Sequence, residues 1–246
     1  MHSQLVYVIH KQDYKENGAL LSLLGQETGR FQAIIHGVKG GKRNSKAALI
    51  QPFQQLQIFS KHTPYANTLV SIRQIETTSI RFPLSGNASL CGFYLNELLY
   101  RLVHEQIDAP VLFERYQQSC YQLLKSMNEV LEQQARMQSW ALRKFEFELL
   151  EQIGHGINPE HDVHGEALLS SALYHCIADY GIVPAQHQSD LNLSGRCLSA
   201  LLGETMPEGC LGGLKRMLQQ LIQAQLGTKP LQSVRLWQQM SRIESK

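Results

Sequence analysis

Phe31-Gln32-Ala33-Ile34-Ile35-His36-Gly37-Val38-Lys39-Gly40-Gly41-Lys42-Arg43-Asn44-Ser45-Lys46 is the stretch from which the fold is read. Its first six residues form a short apolar run of strand length. Its last ten form a glycine-rich basic loop. Four runs like the first surround it, at residues 5–10, 20–24, 54–59 and 68–75. Each is five to eight residues long and rich in Val, Ile, Leu, Tyr or Phe, as half-buried strands are. Turn signals separate them: Asn17-Gly18, Thr28-Gly29, the basic loop itself, and Thr63-Pro64 with Asn67.

Five short strands in about 75 residues describe a small barrel. An OB-fold has this strand count and binds oligonucleotides on its exposed face and loops. An SH3-like barrel would give nearly the same pattern. From about Gly86 the apolar period lengthens to that of a helix. Leu90, Phe93, Tyr94, Leu98 and Leu102 make one stripe, and Leu112, Tyr116, Cys120, Leu123 and Leu124 make a second. A third helix is expected over about 128–153, stopped by Gly154, Gly156 and Asn158-Pro159. Shorter helices follow at 195–202, where Ser194 is a candidate N-cap, then at 211–226 and 231–243. The fold class is therefore α+β and multidomain. An N-terminal five-stranded OB barrel occupies 1–80, and a helical domain occupies 81–246 with a small irregular insertion near 155–190.

Charge singles out the first of these domains. Between Glu27 and Glu76 there is no carboxylate, yet Arg30, Lys39, Lys42, Arg43, Lys46, Lys61 and Arg73 lie there. The whole chain carries +2, so the remaining residues carry a net −5. A concentrated positive field attracts a polyanion and releases counterions from phosphates. If all seven met a single strand, the logarithmic salt slope would reach about −5, and four contacts would give about −3. Tyr65, beside Pro64 in a turn, is the aromatic placed to stack on a base. Phe31, Phe53 and Phe59 fall in or beside apolar strands and are expected in the barrel core. The basic loop is not a phosphate-binding G-x-x-x-x-G-K-[ST] motif.

Other chemistries find little support. No G-x-S-x-G, H-E-x-x-H or G-x-G-x-x-G motif occurs, and no nucleophile and base are paired, so no catalytic residue is assigned. His161-x-x-His164 with His175-Cys176 supplies ligand types for zinc but lacks a C-x-x-C. These histidines read as loop residues, with no metal and no cofactor expected. The five cysteines, Cys91, Cys120, Cys176, Cys197 and Cys210, are widely spaced and read as reduced, packed thiols. No apolar run approaches the roughly 20 residues of a membrane span, and the N-terminus lacks a signal-peptide pattern, so a cytoplasmic location is expected. Arg143 and Lys144 follow Trp140 on the third helix. A cation beside an apolar groove suits capture of an acidic peptide tail, and a solvated helix edge is the plainer reading.

Longer stretches carry a family resemblance. Tyr7-Val8-Ile9-His10, Glu27-Thr28-Gly29-Arg30-Phe31, the 37–46 loop and Leu49-Ile50-Gln51-Pro52-Phe53 resemble the RecO family of bacterial recombination mediators. So do Pro83-Leu84-Ser85-Gly86, Tyr94-Leu95-Asn96-Glu97-Leu98-Leu99, Leu142-Arg143-Lys144-Phe145-Glu146, Ile153-Gly154-His155-Gly156-Ile157-Asn158 and Leu226-Gly227-Thr228-Lys229-Pro230-Leu231. The pieces span nearly the whole chain in order. The resemblance implies an OB-fold and a helical domain, with binding of single- and double-stranded DNA and annealing of complementary strands. It implies a nucleoid-associated protein that helps to load RecA with RecR and that binds the acidic C-terminal tail of single-stranded-DNA-binding protein. The family position for that tail falls on Arg143, with Lys144 beside it. Many relatives carry a four-cysteine zinc module after the third helix. This chain has only Cys176 there and resembles a zinc-free branch. Two readings from other classes stay open: an RNA-binding OB accessory protein, and a protein-binding adaptor with a basic docking loop.

Overall fold

The structure, a computed structural model, describes residues 2–38, 46–64, 68–104, 110–187 and 189–237. Five strands, β1 (His2–Tyr14), β2 (Gly18–Gly25), β3 (Gly29–His36), β4 (Gln54–Ser60) and β5 (Val70–Arg81), close into a barrel in the order β1-β2-β3-β5-β4. All neighbours are antiparallel except β3 and β5, where Ala33–Ile35 run parallel to Val70–Ile72. The five-stranded OB barrel expected from the sequence is present. A short helix, α1 (Lys46–Leu49), precedes β4 and packs Ala47 and Leu49 against the barrel core.

Alternation explains the core. Val6 and Val8, then Leu21 and Leu23, then Phe31, Ala33 and Ile35, then Leu56 and Ile58, then Ile72 point inward from successive strands. Phe31 lies in this core, as expected. β1 extends beyond its apolar run at both ends, and β5 beyond its run at the C-terminal end, through largely polar residues. β1 serves two neighbours, pairing with β4 through residues 2–7 and with β2 through residues 6–14. An irregularity between Val8 and His10 bends it from one to the other. The polar end of β5 is held by Gln54, whose Nε2 donates to the carbonyls of Thr78 and Ile80 at 3.2 and 3.1 Å.

By compactness the chain forms two units, Met1–Leu124 with Leu231–Lys246, and Lys125–Pro230. In the first, helices α2 (Gly86–Leu102) and α3 (Pro110–Ser126) accompany the barrel. Tyr7 leaves the outer wall of β1 to meet Phe113 and Tyr116, with ring centroids at 5.1 and 5.0 Å, and its hydroxyl donates to Gln117. Phe53, at φ +60°, packs its ring on Phe93 of α2 and leaves no space above Gly92. Residues 232–237 are helical, and the rest of the expected C-terminal helix lies outside the described residues. Glu97 of α2 accepts the backbone N–H groups of Gln232 and Ser233 at 2.8 Å each, which caps this last helix.

The second unit contains α4 (Leu131–Gln152), strands β6 (Leu173–Ile177), β7 (Gly181–Pro184) and β8 (Leu193–Ser194), α5 (Gly195–Ser199) and α6 (Leu211–Leu226). The stretch near 155–190 that reads as an irregular insertion thus holds β6 and β7, two strands of a three-stranded sheet ordered β7-β6-β8. Its strands were illegible because β6 is apolar on both faces. Tyr174 and Cys176 point inward while Leu173 and Ile177 remain exposed. The cysteines also require a correction. Cys91, Cys120 and Cys176 are buried thiols outside any disulfide, but Cys197 and Cys210 form a disulfide. Their Cα atoms lie 5.4 Å apart because α5 folds back on the start of α6, a proximity that a separation of 13 residues does not disclose.

Candidate nucleic-acid interface

The barrel ladders decide which cations meet. Ile35 pairs with Ile72, and Ile72 with Ser60, so the C-terminal end of β3, the first residues of β5 and the last of β4 lie side by side. On the other flank of β3, His36 pairs with Gly18 at the β1–β2 turn. Four adjacent strands at about 4.8 Å spacing make an arc roughly 15 Å wide. His36, Lys61 and Arg73 are all exposed on it. Arg73 sits where β5 spends two steps against one of β4, since Ile72 faces Ser60 and Gln74 faces Phe59. A bulge of this kind turns a side chain out of the regular alternation.

The basic loop leaves from the same arc. Gly37, at φ +76°, turns the chain out of β3, and its N–H donates to the Asn17 carbonyl at 2.8 Å. Val38 donates to the same carbonyl and is buried. The chain returns at Lys46, which is half-buried and whose Nζ donates to the His36 carbonyl at 3.1 Å. Both feet of the loop are therefore fixed beside Arg73. Lys39, Lys42, Arg43 and Tyr65 lie outside the described residues.

Arg30 does not join this group. It sits six residues before His36, about 20 Å along β3. Its Nε donates to the Val103 carbonyl at 2.5 Å and its Nη1 to Ser22 Oγ at 3.2 Å, with the guanidinium over the Tyr100 ring. Its charge serves the contact between β3 and the end of α2. Sequence reasoning missed Lys15. This exposed residue occupies the β1–β2 turn at φ +52°, with its ammonium 5.3 Å from the Tyr14 ring. The Asn17-Gly18 turn signal was the available clue, but Glu16 hides Lys15 from a search for carboxylate-free sequence. The same turn brings the exposed Asp13 and Glu16 near the arc. The region is thus less uniformly positive in space than along the chain.

Arg143 and Lys144 face inward. Arg143 is 2% exposed, and its Nη2 meets Glu146 Oε1 at 2.5 Å, where Glu146 is fully buried. Lys144 Nζ donates to the carbonyls of Leu201 at 2.6 Å and Gly203 at 3.0 Å, and lies 5.9 Å from the Trp140 ring. Of the loop histidines, His155 meets Asp179 at 2.6 Å, on the rim of a cleft of about 510 Å³ that His161 also lines. Among the described residues no helix is long and apolar enough to cross a membrane.

Comparison with known proteins follows the same division of the chain. The family model described as "Recombination protein O N terminal" matches residues 1–81, and "Recombination protein O C terminal" matches residues 83–235. The DNA repair protein RecO of Pseudoalteromonas atlantica is 32% identical over 238 residues, 95% of this chain and 92% of that protein. The RecO of Pseudomonas aeruginosa strain UCBPP-PA14 is 32% identical over 244 residues, 99% of this chain and 97% of its own. That of Pasteurella multocida is 29% identical over 235 residues, 95% and 93% of the two chains. Two matching domain models and relatives aligned along nearly the full length show that the chain belongs to the RecO family of DNA repair and recombination proteins, a family of recombination mediators and not of enzymes.

Proposed function

We propose that the arc formed by β2, β3, β5 and β4, together with the basic residues of 37–46, is a DNA-binding surface that takes single and double strands and anneals complementary ones. The observation that carries this reading is the register that sets Lys61, the bulged Arg73 and both feet of the basic loop side by side. Cations spread over an arc of this width can neutralise phosphates of two strands at once, which lowers their repulsion while bases pair. With Arg30 committed to Val103, six of the seven cations remain as contacts, and the limiting salt slope for a single strand falls to about −4. Lys15 belongs to the same surface.

As a recombination mediator of this kind, the protein would act at the nucleoid with RecR in loading RecA. The acidic tail of single-stranded-DNA-binding protein would dock at α4, around Trp140, Arg143 and Lys144. That docking requires some of the contacts which now cover Lys144 to open.

The test is a strand-annealing and binding assay across a salt series. Charge reversal of Lys61 and Arg73, and separately of Lys42 and Arg43, is expected to weaken binding at least tenfold and to flatten the salt slope. Neutralising Arg73 alone with Gln should reduce the slope by about 0.7. Unchanged binding at physiological salt in both reversal variants would remove the arc as the site. Preference for RNA over a matched DNA oligonucleotide would favour the RNA reading, since only RNA offers a 2′-hydroxyl. No shift of either at low salt would favour an adaptor.

A further inference from the structure

The loop between α5 and α6 is a strap held at both ends and in the middle. It leaves α5 through a 3-10 turn, Ala200–Leu202, and returns at Cys210. Leu201 is fully buried, whereas residues 202–205 are exposed. The strap makes little regular structure of its own. Instead it gives its carbonyls to α4. Lys144 Nζ takes those of Leu201 and Gly203, and Trp140 Nε1 donates to that of Glu204 at 3.2 Å. The Glu204 carboxylate lies 3.6 Å from the same ammonium. The Cys197–Cys210 disulfide closes this loop at its base, and Arg196 donates to the Glu208 carbonyl beside it.

The strap's acceptors occupy the donors that an anionic peptide would use: an ammonium and an indole N–H, adjacent on one helix. Strap and peptide are therefore competitors. A crosslink across this loop restricts the open conformations available to the strap and so favours the closed form. We propose that the Cys197–Cys210 disulfide is a redox-sensitive latch that holds the strap over Trp140 and Lys144, and that its reduction frees this part of α4 for an acidic peptide. Reduction by a dithiol breaks the sulfur–sulfur bond. Each cysteine sulfur gains one electron and one proton, and the two thiols of the dithiol become its own disulfide. The identity of the incoming peptide rests on the reading of α4 as an acidic-tail site, whereas the latch itself does not.

The experiment uses the full chain with Trp237→Phe, which leaves Trp140 as the single tryptophan. Without reductant, Cys197 and Cys210 are expected to resist alkylation after denaturation, and to react after treatment with dithiothreitol. Reduction should raise iodide quenching of Trp140 severalfold. It should tighten binding of a synthetic acidic peptide with a free C-terminal carboxylate, measured by calorimetry, by at least tenfold. The Cys197→Ser/Cys210→Ser variant should behave as reduced protein with or without dithiothreitol. If that variant does not fold, titration of the parent chain with reductant decides alone. Five alkylatable thiols instead of three in denatured protein never exposed to reductant, or quenching unchanged on reduction, would overturn the latch. Increased quenching with no change in peptide affinity would support the latch and overturn the acidic-tail reading.

Discussion

Replacing Arg143 with Met tests how α4 uses its cations. The Arg143 side chain is 2% exposed and Glu146, one turn later, is fully buried, with 2.5 Å between Nη2 and Oε1. Removing the guanidinium alone leaves a carboxylate in a desolvated site, which costs about 3–5 kcal/mol. That is a large share of the roughly 5–15 kcal/mol that holds a typical domain folded. Replacing both, with Arg143→Met and Glu146→Leu, removes the buried charge as well as its partner and is expected to recover most of the loss. The coupling between the two positions should therefore be at least about 2 kcal/mol in a double-mutant cycle. The assay is urea unfolding followed by Trp140 emission in the Trp237→Phe chain, at low and high salt. Little change with salt is expected, because ions do not screen a buried pair. A single-variant cost below about 1 kcal/mol would refute the reasoning. The guanidinium would then be solvated, as an exposed docking cation would be.

Three further outcomes follow from the packing. Gly92→Ala should destabilise the first unit by about 1–3 kcal/mol despite the better helix propensity of alanine, because the new Cβ would lie 2.6 Å from Phe53 Cε1. Urea midpoints measure this, and a gain in stability would refute the contact. Glu97→Ala should cost about 1 kcal/mol or more and increase amide exchange at residues 232–237, since it removes the acceptor for two helix-terminal N–H groups. Burial pushes the Cys120 and Cys176 thiols up to about 12. Unfolded thiols ionise near 9, so folding stability should fall as pH rises from about 9 toward 12, with no contribution from these groups below that window. Alkylation of both at pH 8 should be slow until the chain unfolds, and fast native alkylation of Cys120 would contradict its burial.

The sequence by itself determined the barrel and most of the helices, because those signals are local. Short apolar runs of strand length at residues 5–10, 20–24 and 31–36, with Asn17-Gly18 and Thr28-Gly29 between them, leave few ways to bury the apolar side chains. It also located an excess of positive charge in the first 75 residues. Only the tertiary structure decided which of those charges lie together. Field strength depends on distance through space, and strand register, a long-range property, brings Arg73 beside His36 and carries Arg30 away to Val103. The same holds for α4. Arg143 and Lys144 occur in a helix whose pattern permits an exposed edge, but burial is set by what packs on that edge. Glu146 and the carbonyls of Leu201 and Gly203 turned the pair inward. The Cys197–Cys210 bond and the capping of the last helix by Glu97 join residues 13 and 135 or more apart. No local pattern encodes such pairs, because each forms only after the elements that carry them have packed.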